Sequence, residues 1–211
     1  SEDILDAKPV PPPEGAIILF DGSRESLNSW VTIDDKSPIP WKLLDDGSVE
    51  VHGAGIKTKK TFNGHFKLHA EFRVPYEPNN KGQNRGNSGI YLQGRYEVQI
   101  LDSYGLESKD NDCGAIYEVK APKVNACKAP TIWQSYDIDF RAPVCQDGKK
   151  SEPARISVVQ NGQKIQDNVE IPVDNTRAGL GGDPCSPGPI HLQDHGHPVQ
   201  YRNIWLIPVQ D

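Results

Sequence analysis

The sequence is poor in several features that would each point to a function. No stretch approaches the roughly 20 consecutive apolar residues that a membrane-crossing helix requires. No basic patch interrupts the even spread of a net charge of −6 over 211 residues. Phosphate recognition needs clustered Lys and Arg, so a nucleic-acid partner is excluded and a neutral ligand becomes the default. No segment sustains helical periodicity for three turns, and no helix carries a pair of histidines at zinc-ligand spacing. No Asn-x-Ser/Thr glycosylation acceptor occurs, and the four cysteines, Cys113, Cys127, Cys145 and Cys185, contain no Cys-x-x-Cys pair.

What is abundant points to short strands. With 19 Gly, 18 Pro and 36% hydrophobic residues, the chain suits many strands joined by turns. A length of 211 residues fits one all-β domain. Residues 1–14, ending in PVPPPE, read as an extended lead-in that lacks ladder donors, and residues 15–211 as a single domain. The even cysteine count favours disulfides over free thiols. A first residue of Ser1 rather than Met fits a removed export signal, so a secreted or periplasmic location is expected. Four cysteines allow three pairings; the expectation is Cys113 with Cys127, the local pair, and Cys145 with Cys185.

Alternation supplies the strands. Phe66, Leu68, Ala70, Phe72 and Val74 alternate with Lys67, His69, Glu71 and Arg73, the pattern of a half-buried strand. Ala16–Phe20, Trp41–Leu44 with Ser48–His52, and 133–141 read likewise, as does the hairpin around Asn161-Gly162. Ile56–Lys60 reads as close to a sheet edge, Cys145–Pro153 as a turn, and 174–189 as a Gly- and Pro-rich crossing. About a dozen strands without an internal repeat indicate an all-β, two-sheet antiparallel β-sandwich of jelly-roll type. The curved face of such a sandwich offers a place for an elongated ligand.

The chain is organised around Arg85–Ser103, RGNSGIYLQGRYEVQILDS. Within it Tyr96, Val98 and Ile100 fall on one side of a strand and Glu97, Gln99 and Leu101 on the other. One side reads as core and the other, with its acid and amide, as the floor of a cleft.

Three blocks, LFDGSRESLNSW, RGNSGIYLQGRYEVQILDS and IHLQDHGHPVQYRNIWL, resemble the signature segments of the 3-keto-disaccharide hydrolase family, across Ile17 to Pro208. The resemblance implies a concanavalin A-like sandwich, export from the cytoplasm, and activity on glycosides whose sugar is oxidised at its third carbon. Glu97, Gln99 and Asp102 also form E-x-Q-x-x-D, similar to the bulged E-x-D-x-x-E strand of laminarinase-like glycosidases, in which the extra residue returns the last acid to the shared face. Here the middle acid is an amide and the last is shortened. Both changes weaken a retaining mechanism, which needs two carboxyl groups about 5–5.5 Å apart.

A 3-keto sugar requires only one base, one acid for the leaving oxygen and a donor or cation for the enolate. The expected base is Glu97 and the expected acid is His195, oriented by Asp194. Arg85 or a metal ion would stabilise the enolate. Substrate contacts are expected from Arg85, Asn87, Gln99, Asp102, Tyr117, Gln193 and Asp194. Trp133 and Trp41, which open their strands, are the candidates for an aromatic cleft rim. Asn87 and Ser88 serve equally well as turn builders, and Asp102 as a strand terminus. No cofactor is expected; a structural calcium held by carbonyls and carboxylates is compatible with the residue types. The partner is then an oligosaccharide or glycoside, with the oligomeric state left open. A non-catalytic carbohydrate-binding module and a retaining glucanase remain as alternative readings.

Overall fold

The strands form two facing sheets, and the computed structural model describes all of residues 1–211. The larger sheet contains β1 (Ile17–Phe20), β3 (Lys42–Leu43), β4 (Val49–Glu50), β6 (His65–Arg73), β9 (Gln134–Arg141), β12 (Ala154–Gln160), β13 (Gln163–Ile171) and β15 (Gln200–Pro208). They run in the order β13-β12-β9-β6-β15-β4-β3, with β1 also paired to β15. The smaller sheet runs β2 (Trp30–Thr32), β5 (Ile56–Thr58), β14 (His191–Leu192), β7 (Ser88–Leu92), β8 (Tyr96–Ile100). All ladders are antiparallel. The fold is the all-β sandwich that alternation predicts. One helical turn, α1 (Arg24–Leu27), is capped by the Ser23 hydroxyl accepting from the Ser26 N–H. No helix is long and apolar enough to cross a membrane.

Between the sheets, Phe66, Leu68, Ala70 and Phe72 of β6 and Tyr136, Ile138 and Phe140 of β9 meet Ile90, Leu92, Val98 and Ile100 of the smaller sheet in one continuous core. Each of the Phe, Leu, Ile and Val side chains contributes about 1.5–3 kcal/mol on burial. Ile56–Thr58 lies between the edge strand β2 and β14, close to the sheet edge as expected, and Lys57 within it marks the outer face. Two local expectations are corrected. The segment read as a turn at Cys145–Pro153 is a small hairpin, β10 (Val144–Gln146) with β11 (Lys149–Glu152). Of the expected disulfides only Cys145–Cys185 is present, and Cys113 and Cys127 are buried free thiols. The Gln160 amide lies 3.7 and 3.6 Å from their sulfurs, and core packing rather than a bridge holds that loop.

The lead-in is ordered along the outer face of the larger sheet. Val10 N–H donates to Glu71 Oε2 at 3.1 Å, and its carbonyl accepts from Asn203 and from Trp205 Nε1. The Ala7 N–H donates to the Trp133 carbonyl and Arg202 donates to the Ala7 carbonyl. Trp133 therefore lies beneath the lead-in, between the guanidinium groups of Arg73 and Arg202 at 4.6 and 4.3 Å. Trp41 is stacked on Tyr201 in the core, with its indole N–H on the Ala54 carbonyl. Neither tryptophan is a cleft rim.

Under the lead-in, His69 and Glu71 are fully buried. Burial alone would lower the His69 pKa, but the hydrogen bonds its ring N–H groups donate to Asp137 and Glu71, at 2.7 and 2.6 Å, raise it to about 9. Burial favours a neutral Glu71. His69, the Val10 N–H, Asn203 and Arg202 outweigh that and hold its carboxyl below the usual range. A native histidine that keeps its proton up to about 9 adds stability in full below its unfolded value of 6.5, and loses that contribution as the pH rises through 9. Replacing Glu71 by Gln leaves the buried His69 and the partly buried Arg202 short of their anion, and is expected to cost about 3 kcal/mol in urea unfolding at pH 7. An unchanged midpoint would show that this network contributes nothing.

Candidate active site

The outer face of the smaller sheet carries polar side chains in register. Lys57 of β5 pairs with His191 of β14, His191 with Tyr91 of β7, and Tyr91 with Glu97 of β8. The adjacent row places Gln193 beside Gly89, through the Gln193 N–H to the Gly89 carbonyl, and Gly89 opposite Gln99. An outward face would ordinarily be wet, yet every residue of β7 and β8 is buried. Three loops roof it.

The first loop is 75–87. The second is 104–120, whose residues 114–117 bond the free edge of β8: Gly114 N–H to the Gln99 carbonyl, Gln99 N–H to that of Ala115, and Tyr117 N–H to that of Glu97. This edge pairing sets Tyr117 beside the Glu97 carboxyl. The third is a strap around 174–186. The Thr176 hydroxyl accepts from the Glu97 N–H at 3.1 Å, and the buried Arg95 guanidinium binds the Gly181 carbonyl and Ser186. The Cys145–Cys185 disulfide ties the strap to the β10–β11 hairpin.

What remains open between the loops is a cleft of about 120 Å³, lined by Gln83, Asn87, Glu97, Gln99, Tyr117, Arg177, Ala178, Gln193 and His195. It brings together Glu97, Asn87, Gln99, Tyr117, Gln193 and His195 from four separate stretches of sequence. Larger hollows lie elsewhere, and none of them is lined by these residues.

Glu97 is the only carboxyl among the residues lining the cleft. Burial pushes its pKa up to about 8; the Tyr91 hydroxyl, donating to Oε1 at 2.9 Å, opposes the rise and the Glu118 carboxylate adds to it. Tyr91 is itself held protonated far above its ordinary range by burial and by Glu97. Behind it the ring of His191 stacks at 4.4 Å, and burial, with Lys57 nearby, lowers this imidazole to about 4, so it is neutral. Gln99 donates to Gln83 Oε1 at 2.9 Å and to the Asn111 carbonyl. Asn87 donates to the Gln83 carbonyl at 2.7 Å, which fixes its amide, and its own Oδ1 is buried without a donor. Arg177 stands at the mouth, its guanidinium on Glu118 at 2.5 and 3.2 Å.

Four of the expected contacts lie outside the cleft. Arg85 Nε donates to Asp102 Oδ2 at 3.0 Å, and the pair closes the end of β8. The ladder between β7 and β8 runs without a register shift from Ser88–Ile100 to Leu92–Tyr96, so no bulge lies in that paired span and Asp102 sits past its end. The Asp194 carboxylate accepts from the Gly196 N–H at 2.8 Å, building a turn instead of orienting His195. Trp133 is on the opposite sheet, as described above. His195 stacks on His197, whose Nδ1 lies 2.7 Å from Glu77, and no group of three or more His, Cys, Asp or Glu side chains is arranged to hold a metal ion. The residues missed from sequence are Gln83, Tyr91, Arg177 and Ala178. Tyr91 was legible in principle, since it alternates with Ile90 and Leu92; Arg177 lies in an irregular crossing with no period to read.

The sandwich and its single-carboxyl cleft place the chain among lectin-like β-sandwiches with a polar pocket on the smaller sheet. The chain belongs to the family described as 3-keto-alpha-glucoside-1,2-lyase-like domains, which matches residues 15–207. The crystal structure of a protein from Parabacteroides distasonis, described as a "putative glycosyl hydrolase", superposes with a TM-score of 0.84 at 34% identity, covering 96% of this chain and 94% of that one. A second protein of that organism with the same description gives a TM-score of 0.68 at 18% identity, covering 96% of this chain and 100% of that one. The carbohydrate recognition domain of Emp46p gives 0.50 at 9% identity, covering 89% and 92%. In the last two the likeness is one of fold alone. Among curated proteins no match was found.

The buried Glu97 sets a stability cost with a definite sign. Its carboxyl ionises near 4.5 in the unfolded chain and near 8 in the native one, so between those values the unfolded state binds fewer protons and stability falls as pH rises. Glu97→Gln keeps an acceptor for Tyr91 and removes the titration. The variant is expected to be more stable than the parent at pH 8 by about 4 kcal/mol, with the difference nearly vanishing at pH 4.5. Urea denaturation at the two pH values checks this, and a variant less stable at pH 8 would contradict it.

Proposed function

We propose that this cleft cleaves the glycosidic bond of a 3-keto glycoside by elimination across C1 and C2. The observation that carries the reading is the solitary carboxyl. Classical retaining and inverting hydrolysis each need two carboxyl groups flanking the bond, whereas the cleft lining offers Glu97 alone, with a pKa near 8. A carboxyl of that strength is a better base, once ionised, than an ordinary glutamate. Family membership supports the same chemistry, and the relationship to described glycosyl hydrolases supports carbohydrate as the substrate class.

The steps follow from the ketone. The C3 carbonyl acidifies the hydrogen on C2; Glu97 removes it, and the electron pair passes into an enolate across C2 and C3. The enolate oxygen takes hydrogen bonds from the cleft, whose lining holds one guanidinium, that of Arg177. Collapse of the enolate restores the C3 carbonyl, forms the C1–C2 double bond and expels the aglycone oxygen, which His195 protonates. Water adding later to C1 completes a net hydrolysis. In an α-glucoside the axial C2 hydrogen and the axial C1–O bond are antiparallel, so base and acid belong on opposite sides of the ring. Asn87 Oδ1, without a donor of its own, and Gln193 then serve as contacts for sugar hydroxyls. The disulfide supports a location outside the reducing cytoplasm.

Incubation with a 3-keto glucoside and its unoxidised parent tests the reading. Turnover of the keto compound alone is expected, with loss of deuterium from C2 in step with aglycone release and transient absorbance from the conjugated enone. Because the ionised form of Glu97 is the base, kcat/KM should rise with pH and level off above about 8. Glu97→Gln should lower kcat by about a thousandfold. Retention of deuterium at C2, or comparable turnover of the parent, would refute elimination; turnover of neither would indicate a carbohydrate-binding module.

A further inference from the structure

The two oxygens of a carboxylate are equivalent in water, and the sheet around Glu97 makes them different. Oε1 accepts from the Tyr91 hydroxyl at 2.9 Å. Oε2 has no donor from the protein and passes over Gly89 of the neighbouring strand, so close that a Cβ at that position would lie 2.0 Å from it and 2.8 Å from the carboxyl carbon. With the carboxyl walled in, only glycine leaves it this place.

Tyr91 is held as firmly as the group it holds. Its ring is fully buried and stacked on His191. Its single proton has two acceptors within reach, Glu97 Oε1 at 2.9 Å and the Arg177 carbonyl at 3.3 Å, and the shorter contact is the one to the carboxyl. Gln193 Nε2 donates to the hydroxyl oxygen at 3.1 Å, which orients the proton away from itself and strengthens the donor.

We propose that Tyr91 is a positioning residue that commits Glu97 Oε1 to a hydrogen bond, leaving Oε2, over Gly89, as the oxygen that receives the substrate proton. This rests on the elimination reading of the cleft. It assigns a task to a side chain that lines no part of the pocket, and it explains why a glycine stands opposite Gln99. A carboxylate free to rotate would present either oxygen, and would spend part of its time with the accepting lone pair turned from the sugar; a fixed one meets C2 in a single pose.

The test separates Tyr91 from the reaction. Ionisation of Glu97 is followed in the free protein by carbon NMR of labelled glutamate, with Glu97→Gln identifying the signal. Tyr91→Phe removes one donor from the ionised form and is expected to raise the midpoint by about one pH unit, a tenfold change in acid strength. The pH at which kcat/KM reaches half its plateau should rise with it, and KM for the 3-keto glycoside should change little. A merely structural tyrosine would alter stability and KM without moving the midpoint. The other titratable groups facing Glu97 are Glu118 and Arg177 at the mouth, Tyr117 and His195 in the wall, and His191 and Tyr201 behind; all are retained in the variant. Should Tyr91→Phe fail to fold, Gln193→Leu, at a half-buried position, should produce a smaller rise. A midpoint unmoved in either folded variant overturns the role of Tyr91 and leaves elimination intact. A wild-type protein inert toward 3-keto glycosides overturns the reading on which the role rests, whatever the titration shows.

Discussion

The buried carboxyl of Glu97 is the constraint around which the smaller sheet is arranged. Taking a carboxylate out of water is expensive unless donors replace the lost solvent, and the protein supplies it with one donor, Tyr91. The rest of the local architecture follows from keeping that group dry and in place. Gly89 clears space for it, residues 114–117 and Thr176 close the open edge of β8, and Arg95 fixes the strap that covers the strand from the other side. An edge strand left open beside a cleft would expose unpaired N–H and C=O groups; here the loops that cover the edge also carry Tyr117 and Arg177 into the pocket.

The same molecule buries a second glutamate and treats it in the opposite way. Glu71, on the outer face of the larger sheet, receives donors from His69, Arg202, Asn203 and the Val10 N–H, and stays ionised below the ordinary carboxyl range. Glu97 receives one and is pushed up to about 8. The number of donors separates the two. A saturated carboxylate has no lone pair to spare and fastens the lead-in to the sheet; an undersaturated one keeps an oxygen free and has a pKa near the working range. The pattern separates a structural acid from the one proposed as the base without changing residue type.

The elements with strict alternation were legible in the sequence. β6, β9 and β12 follow period-two patterns over seven residues or more, and each has one face in the core. The polar side of Tyr96–Ile100 was legible for the same reason. What failed to show was whatever depends on contacts between distant loops. Asp102 could be counted along the strand, but nothing local indicated that Arg85 would claim it. Trp133 opens a strand, yet the lead-in that covers it begins more than a hundred residues earlier in the chain. Cys113 and Cys127 look like a local pair, while their free state reflects a buried site shared with Tyr136 and Gln160. Arg177 sits in a segment with no period, brought to the pocket by the disulfide and by Arg95.

These distant contacts also bear on the proposed chemistry. A strand that places acids at alternating positions could serve a two-carboxylate mechanism on this fold, and an Asp within reach of Glu97 would have been enough to leave the matter open. The regular ladder from Ser88 to Leu92 against Tyr96 to Ile100 carries Asp102 beyond the pocket, and Arg85 holds it there. Gln99 occupies the remaining position on the same face, and its amide is spent on Gln83 and the Asn111 carbonyl. One carboxyl is what the proposed elimination asks of the protein, because a substrate with a ketone beside the C–H bond brings the activation that a single base can use.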